Sequence, residues 1–214
     1  MIAVTFAHPS ESRDFVRLMR NRPNEIKIFH TGVGAKACRA RLEPFLDGQR
    51  LDYLISSGFA GGVDSSLGVG DLLLAENYSD PQLLARARET LGQRVAKLAT
   101  ADRVIEGAAE RARFAHEHKA VAVDMESAWI ARACAAREIP MLSLRAISDT
   151  AAAPFPAPPG VLFDLDRQRT SAFKLTAYLL RNPSAVVRLQ RFSKQVATAR
   201  ASLTNALTVL LREV

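Results

Sequence analysis

The sequence predicts an α/β protein of three layers, with helices on both faces of a mostly parallel mixed sheet and further helices at the C-terminus. Three observations carry this expectation. Short apolar runs alternate with stretches of helical periodicity, the pattern of a parallel sheet covered on both faces. Glycines and carboxylates recur just after the apolar runs, at the sheet edge where such folds collect their loops and ligands. With 214 residues and 48% hydrophobic content, the chain has enough apolar material for one substantial core.

Taken in order, Ile2 to Ala7 is an apolar run that ends in His8-Pro9-Ser10 and reads as a buried first strand entering a loop. Phe15, Leu18 and Met19 follow at helical spacing. Ile26 and Ile28 alternate with charged residues up to Thr31, after which Gly32-Val33-Gly34 breaks the strand and an alanine-rich helix runs to about Leu46. Tyr53 to Ser57 is a third strand, expected to empty into a long turn, Gly58-Phe59-Ala60-Gly61-Gly62. Gly68 and Gly70 precede a strand from Leu72 to Ala75. A helix is expected from Pro81 to about Leu91, a strand from Val95 to Ala99, a polar surface helix from Glu106 to His118 and a short strand from Ala120 to Val123. Met125 to Arg137 reads as a helix. Met141 to Ile147 is a strongly apolar strand interrupted by Arg145 and ended by Ser148-Asp149-Thr150. Proline and alanine make Ala151 to Pro159 a loop. Beyond it, Leu189, Phe192, Val196, Ala199, Leu203, Ala206 and Leu210 recur at steps of three and four, an apolar stripe that must dock on something. The expected organisation is a catalytic domain over residues 1 to 160 with a basic helical extension over residues 161 to 214 packed on it.

The net charge of +7 is unevenly placed, for residues 170 to 214 carry seven cations against the single carboxylate Glu213. No recognisable nucleic-acid module accompanies these cations, so nucleic acid is not an expected partner. The N-terminus shows no charged-then-apolar signal pattern, and no window approaches the roughly 18 apolar residues of a membrane span. A cytoplasmic place is expected. Cys38 and Cys134 have no second cysteine at metal-ligand spacing, and His116 and His118 lie two apart on a helix, facing different ways. Neither a disulfide nor a metal site is expected. His8 and His30 lie near strand ends, where substrate contact and a polar loop role are equally open.

The chemistry-bearing residues fall at one edge of the predicted sheet. Glu11 follows the first strand, Gly32 to Gly34 the second, Gly58 to Gly62 the third, Asp124 to Glu126 the Ala120 strand and Asp149 the Met141 strand. Gly32-Val33-Gly34-Ala35-Lys36-Ala37 resembles a dinucleotide fingerprint, yet Asp52 starts its strand instead of ending it, so the required acid is on the wrong edge. A tight turn needing a flexible backbone accounts for these glycines equally well. Asp149, Asp124 and Glu126 each admit a helix-capping or turn role when taken singly.

Together, Thr31-Gly32-Val33-Gly34, Ser57-Gly58-Phe59-Ala60-Gly61-Gly62 through Val69-Gly70-Asp71, Ala122-Val123-Asp124-Met125-Glu126-Ser127 and Arg145-Ala146-Ile147-Ser148-Asp149 occur in the order seen in one family. Over residues 1 to 150 the chain resembles the purine nucleoside phosphorylase and methylthioadenosine/adenosylhomocysteine nucleosidase superfamily. The resemblance implies a nucleoside phosphorylase-like fold and cleavage of a purine N-glycosidic bond without metal or organic cofactor. It implies that Asp149 is the acid near purine N7 and that Glu126 accepts hydrogen bonds from the ribose hydroxyls. Met125 packs on the sugar and Glu11 activates the attacking water. Gly34, Gly58, Phe59, Ala60, Gly61, Val104, Asp124 and Ser148 are then expected around the base and nucleophile.

Departures from the family pattern refine this expectation. Ser56 and Phe59 stand where the phosphorylases use an arginine and a serine on phosphate, which favours water as nucleophile. Val104 stands where the nucleosidases stack a phenylalanine on the base. The stretch from Leu74 to Val95 is short, so the side holding the sugar and its 5′ substituent is expected to be open and suited to a large group. Val123-Asp124-Met125-Glu126-Ser127, the Pro154 to Pro159 loop and the tail from Arg181-Asn182-Pro183 are similar to the hopanoid-associated branch, implicated in removing adenine from adenosylhopane. Its expected partner is a purine nucleoside, lipid-linked in that branch. Phe173, Leu175, Tyr178, Leu179 and Leu180 interleave with Lys174 and Arg181, a pattern suited either to peripheral contact with the inner membrane surface or to packing on the core. The resemblance also implies a homo-oligomer, and the final stripe is compatible with self-association. The rival readings are a phosphate-dependent phosphorylase and a non-catalytic nucleotide-binding protein on the same scaffold.

Overall fold

The structure, a computed structural model, describes residues 1–20 and 26–212, so Glu213 of the tail lies outside the described residues. Eight strands form one sheet: β1 (Ile2–Phe6), β2 (Ile26–His30), β3 (Tyr53–Gly62), β4 (Leu72–Ala75), β5 (Arg94–Ala96), β6 (Leu98–Thr100), β7 (Ala122–Asp124) and β8 (Met141–Asp149). The main path runs β2-β1-β3-β8-β4-β5, with β7 pairing both β3 and β6. Neighbours are parallel except β4 against β8 and β7 against β3. Every residue of β1 and of β8 is buried, as central strands covered on both faces must be.

Helices α1 (Pro9–Met19), α2 (Ala35–Asp47), α3 (Pro81–Leu91), α4 (Ala108–His118), α5 (Ser127–Ala135), the short α6 (Pro159–Leu162), α7 (Ala172–Arg181) and α8 (Ala185–Leu210) complete the fold. α8 packs on β8, α1 and α3, burying Ala199, Leu203 and Leu207 with Phe6, Phe15 and Leu144. On the other face α2 and α5 close over Ala3 and Leu54 through Cys38, Leu42, Ile130 and Cys134. This is the expected three-layer arrangement. The final stripe docks inside the chain along its C-terminal half. Among the described residues no helix is long and apolar enough to cross a membrane.

Boundaries move where sheet pairing overrides local pattern. Gly58 to Gly62 is not a turn but the end of β3, because β8 pairs with it through Gly58–Arg145 and Phe59–Ala146 while β7 pairs with Gly61 and Gly62. The one concession to its glycines is a register shift between Ala60 and Gly61. The predicted Val95 to Ala99 strand is two strands, since the chain leaves β4 and joins β7 at Lys97. Asp149 is the last residue of β8, and α5 begins at Ser127, leaving Glu126 as its N-cap.

Candidate active site

The carboxyl ends of β1, β3, β7 and β8 converge, and each delivers a carboxylate or its support. Glu11 owes its position to a helix cap. Its carboxylate folds back to accept the backbone N–H groups of Ala7 at 2.8 Å and His8 at 3.1 Å, and that of Phe59 on β3 at 3.1 Å. Such a capping box fixes a side chain through bonds the helix start needs anyway. A Cβ on Gly58 would stand 3.2 Å from this carboxylate, so the missing side chain is what admits it. Burial raises the Glu11 carboxyl above its ordinary value, opposed by the backbone donors and the charge of Arg145.

Glu126 leaves the end of β7 and accepts the backbone N–H of Gly34 at 2.6 Å, the residue that opens α2. Burial first, then the negative charge of Asp124, pushes its carboxyl up to about 8. Asp124 borders the same space, yet both its oxygens are occupied: Oδ2 by Arg145 Nε at 3.0 Å and Ser127 Oγ at 2.7 Å, Oδ1 by Thr100 Oγ1 at 2.9 Å. It lines the cavity and serves there as the counter-ion of Arg145. The arginine that interrupts an apolar strand thus has a reason to be there. Its remaining N–H groups go to the Ser56 and Leu144 carbonyls and to the hydroxyls of Ser56 and Ser127, so all five donors are used.

Asp149 is 1% exposed and forms an ion pair with Arg111 of α4, whose Nη1 also donates to the Gly62 carbonyl at 2.8 Å. Ser148 Oγ donates to its other oxygen at 2.8 Å. Gly61 makes room for the pair, because a Cβ there would lie 3.2 Å from the Asp149 carboxylate and 3.3 Å from the guanidinium. Burial outweighs both partners and lifts the Asp149 carboxyl above the ordinary range, so it can hold a proton closer to neutral pH than a free aspartate. Arg111 was not expected here, since α4 reads as a surface helix. Its signal is spacing, for Phe114 and Ala115 follow at i+3 and i+4 and pack on the Val63, Ile105 and Val123 cluster, putting Arg111 on the buried face.

One cavity of about 790 Å³ joins these groups. Glu11, Glu126, Met125 and Asp149 line it, as do Phe59, Ala60, Gly61, Val104, Asp124 and Ser148, while Gly58 borders a small adjoining void behind Glu11. Gly34 is placed behind the wall, holding Glu126 by its N–H. His8 lines the cavity, its imidazole held below the usual value by burial, and His30 bonds instead to Ser12 Oγ at 2.7 Å. Away from the carboxylates the cavity continues between Phe155, Leu162, Phe163, Leu165, Phe192 and Val196. Gln168 fastens this wall to the Val33 turn, accepting from its N–H at 2.8 Å and donating to its carbonyl at 2.9 Å. The C-terminal segment thus supplies one wall of the chamber.

Three carboxyl groups of distinct surroundings at the carboxyl edge of a doubly covered sheet, around a chamber with a mostly apolar far wall, define an α/β protein equipped for acid–base chemistry on a small molecule. A model of the phosphorylase superfamily matches residues 74–181, half of the chain, and the chain belongs to that superfamily. A 5′-methylthioadenosine/S-adenosylhomocysteine nucleosidase of Glaesserella parasuis serovar 5 is 29% identical over 158 residues, covering 59% of this chain and 69% of the relative. Among solved structures, futalosine hydrolase of Helicobacter pylori strain 26695 is similar with a TM-score of 0.72 at 17% identity, over 100% of this chain and 97% of that one. A 5′-methylthioadenosine/S-adenosylhomocysteine nucleosidase from Neisseria meningitidis, in complex with methylthio-immucillin-A, gives 0.69 at 18% identity over 100% and 99% of the two chains. At these identities the structural likeness speaks for the fold.

Proposed function

We propose that the chamber hydrolyses the N-glycosidic bond of an adenine nucleoside bearing a bulky apolar 5′ substituent, with adenosylhopane as the candidate substrate. Asp149 protonates N7, so adenine leaves neutral while the C1′–N9 bond breaks. Glu126 accepts hydrogen bonds from the ribose hydroxyls and, with Met125 against the sugar, stabilises the positive charge that develops there. Glu11 takes a proton from the water that adds to C1′, and the products are adenine and a free 5′-substituted ribose.

The observation that carries the hydrolytic reading is the nucleophile end. Both oxygens of Glu11 accept backbone N–H groups there, the bonding of a carboxylate, and Arg145, the cation whose charge reaches it, has no donor left for phosphate. A phosphate dianion would meet negative charge and no free N–H from Arg145, whereas water needs only the carboxylate. The apolar far wall supports the bulky 5′ group. The test is adenine release from adenosine, methylthioadenosine and a long-chain 5′-alkyl adenosine, with and without phosphate. Release independent of phosphate, yielding free sugar and fastest with the alkyl substrate, is expected. Release that requires phosphate and yields sugar 1-phosphate would replace the hydrolase by a phosphorylase.

Arg111 follows from the same scheme. Its charge lowers the Asp149 carboxyl, and a general acid stops working as pH rises past its own pKa. Arg111→Met should therefore move the alkaline fall of kcat/KM to higher pH while lowering its plateau about tenfold to a hundredfold, and Arg111→Lys should restore part of both. A pH–rate profile whose alkaline limb stays in place in both variants would reduce Arg111 to a packing role.

A further inference from the structure

We propose that α7 and the start of α8 form a docking surface for an anionic lipid bilayer. Of the eight large hydrophobic side chains exposed among the described residues, five lie between Leu165 and Val187, and two of these, Phe173 and Leu180, are 84% and 78% exposed. Phe173 and Leu180 are seven residues apart on α7, two helical turns, and so point the same way. Val186 and Val187, at the start of α8, are also exposed. Aromatic and leucine tips held in water at these exposures gain by entering an apolar phase.

Charge decides which apolar phase. From residue 165 to residue 194 the chain carries seven cations and one carboxylate, Asp166. The side chains of Arg181, Arg191 and Lys194 are exposed and make no hydrogen bond or ion pair among the described residues. A second copy seated on this face would bring like charges together, while an anionic head-group layer would neutralise them as the apolar tips enter the boundary below. The face also adjoins the chamber: Lys174, next to Phe173, lines the cavity and pairs with Asp164 at 3.6 Å. Docking there sets the mouth of the chamber against the lipid.

The experiment is co-sedimentation of the full chain with phosphatidylcholine vesicles and with vesicles containing phosphatidylglycerol, at low and high salt. Binding is expected on the anionic vesicles and should weaken with salt. Arg181→Gln/Arg191→Gln/Lys194→Gln should lose about fivefold in partitioning per cation, on the order of a hundredfold together. Phe173→Ser/Leu180→Ser should lose at least about tenfold at unchanged charge. Circular dichroism establishes that both variants fold, since every altered side chain is exposed. Absence of wild-type binding, or binding that both variants retain in full, overturns the proposal. So does a dimer that the serine variant dissociates while vesicle binding is absent, because the face then belongs to a second copy. No substrate enters the assay, so its outcome is independent of the nucleosidase reading.

Discussion

Asp149→Asn is expected to lower adenine release by about 10²–10⁴-fold, the range a positioned general acid contributes. The amide keeps the shape and still offers an N–H to purine N7, but it cannot surrender a proton as the C1′–N9 bond breaks. The same change leaves the Arg111 charge buried without its partner, and breaking a buried pair on one side destabilises by about 3–5 kcal/mol. Activity is therefore to be read from single-turnover rates on protein shown to be folded. A chemical control separates the two losses. A riboside whose leaving group departs as a stable nitrophenolate needs no protonation, so the variant should cleave it at close to the wild-type rate. Equal losses on both substrates would mean that Asp149 holds the site together and donates no proton.

Glu126→Gln should move activity and stability in opposite directions. Measured above about pH 8, where Glu126 is ionised, activity should fall by about 10²–10³-fold, because a neutral amide neither accepts ribose hydroxyls as strongly nor stabilises the charge developing on the sugar. Stability should rise. In the folded chain the Glu126 carboxyl is pushed from 4.5 up to about 8, so the native state still binds a proton that the unfolded chain has released. The wild type consequently loses stability as pH climbs from about 4.5 to about 8, and the loss is complete only above the folded value. Glutamine removes that dependence while its carbonyl can still accept the Gly34 N–H. At pH 8 the variant should be more stable by on the order of 2–4 kcal/mol, about 5–10 °C in Tm, and at pH 5 close to wild type. Thermal unfolding across this range decides it, and a variant that melts lower than wild type at pH 8 contradicts the assignment of a buried, proton-holding Glu126.

Much of the fold is visible in the chain. Runs such as Ile2 to Phe6 and Met141 to Ile147 are apolar on both faces and become central strands, and Phe15 and Leu203 mark helix faces by their spacing. The carboxylates after β1 and β8 share one sheet edge because both strands run parallel to β3, whereas β7 runs antiparallel to β3 and brings Asp124 and Glu126 there only by pairing with Gly61 and Gly62. The errors are equally local. Gly58 to Gly62 has the composition of a turn, and only pairing with β7 and β8 makes it strand. Arg111 has the look of a solvated cation, and only the approach of β8 gives it a partner.

By itself, then, the sequence determined most of the strands and helices and the sheet edge at which its candidate residues gather, since polarity and periodicity are properties of neighbours along the chain. Tertiary structure alone decided what each carboxylate faces. Arg111 meets Asp149 across 38 residues, Phe59 meets Glu11 across 48, Gly34 meets Glu126 across 92 and Gln168 meets Val33 across 135. Those encounters bury the groups, and burial with its few chosen partners sets their proton affinities. The strength of such fields depends on distances of a few ångströms, and a linear order of residues does not contain them.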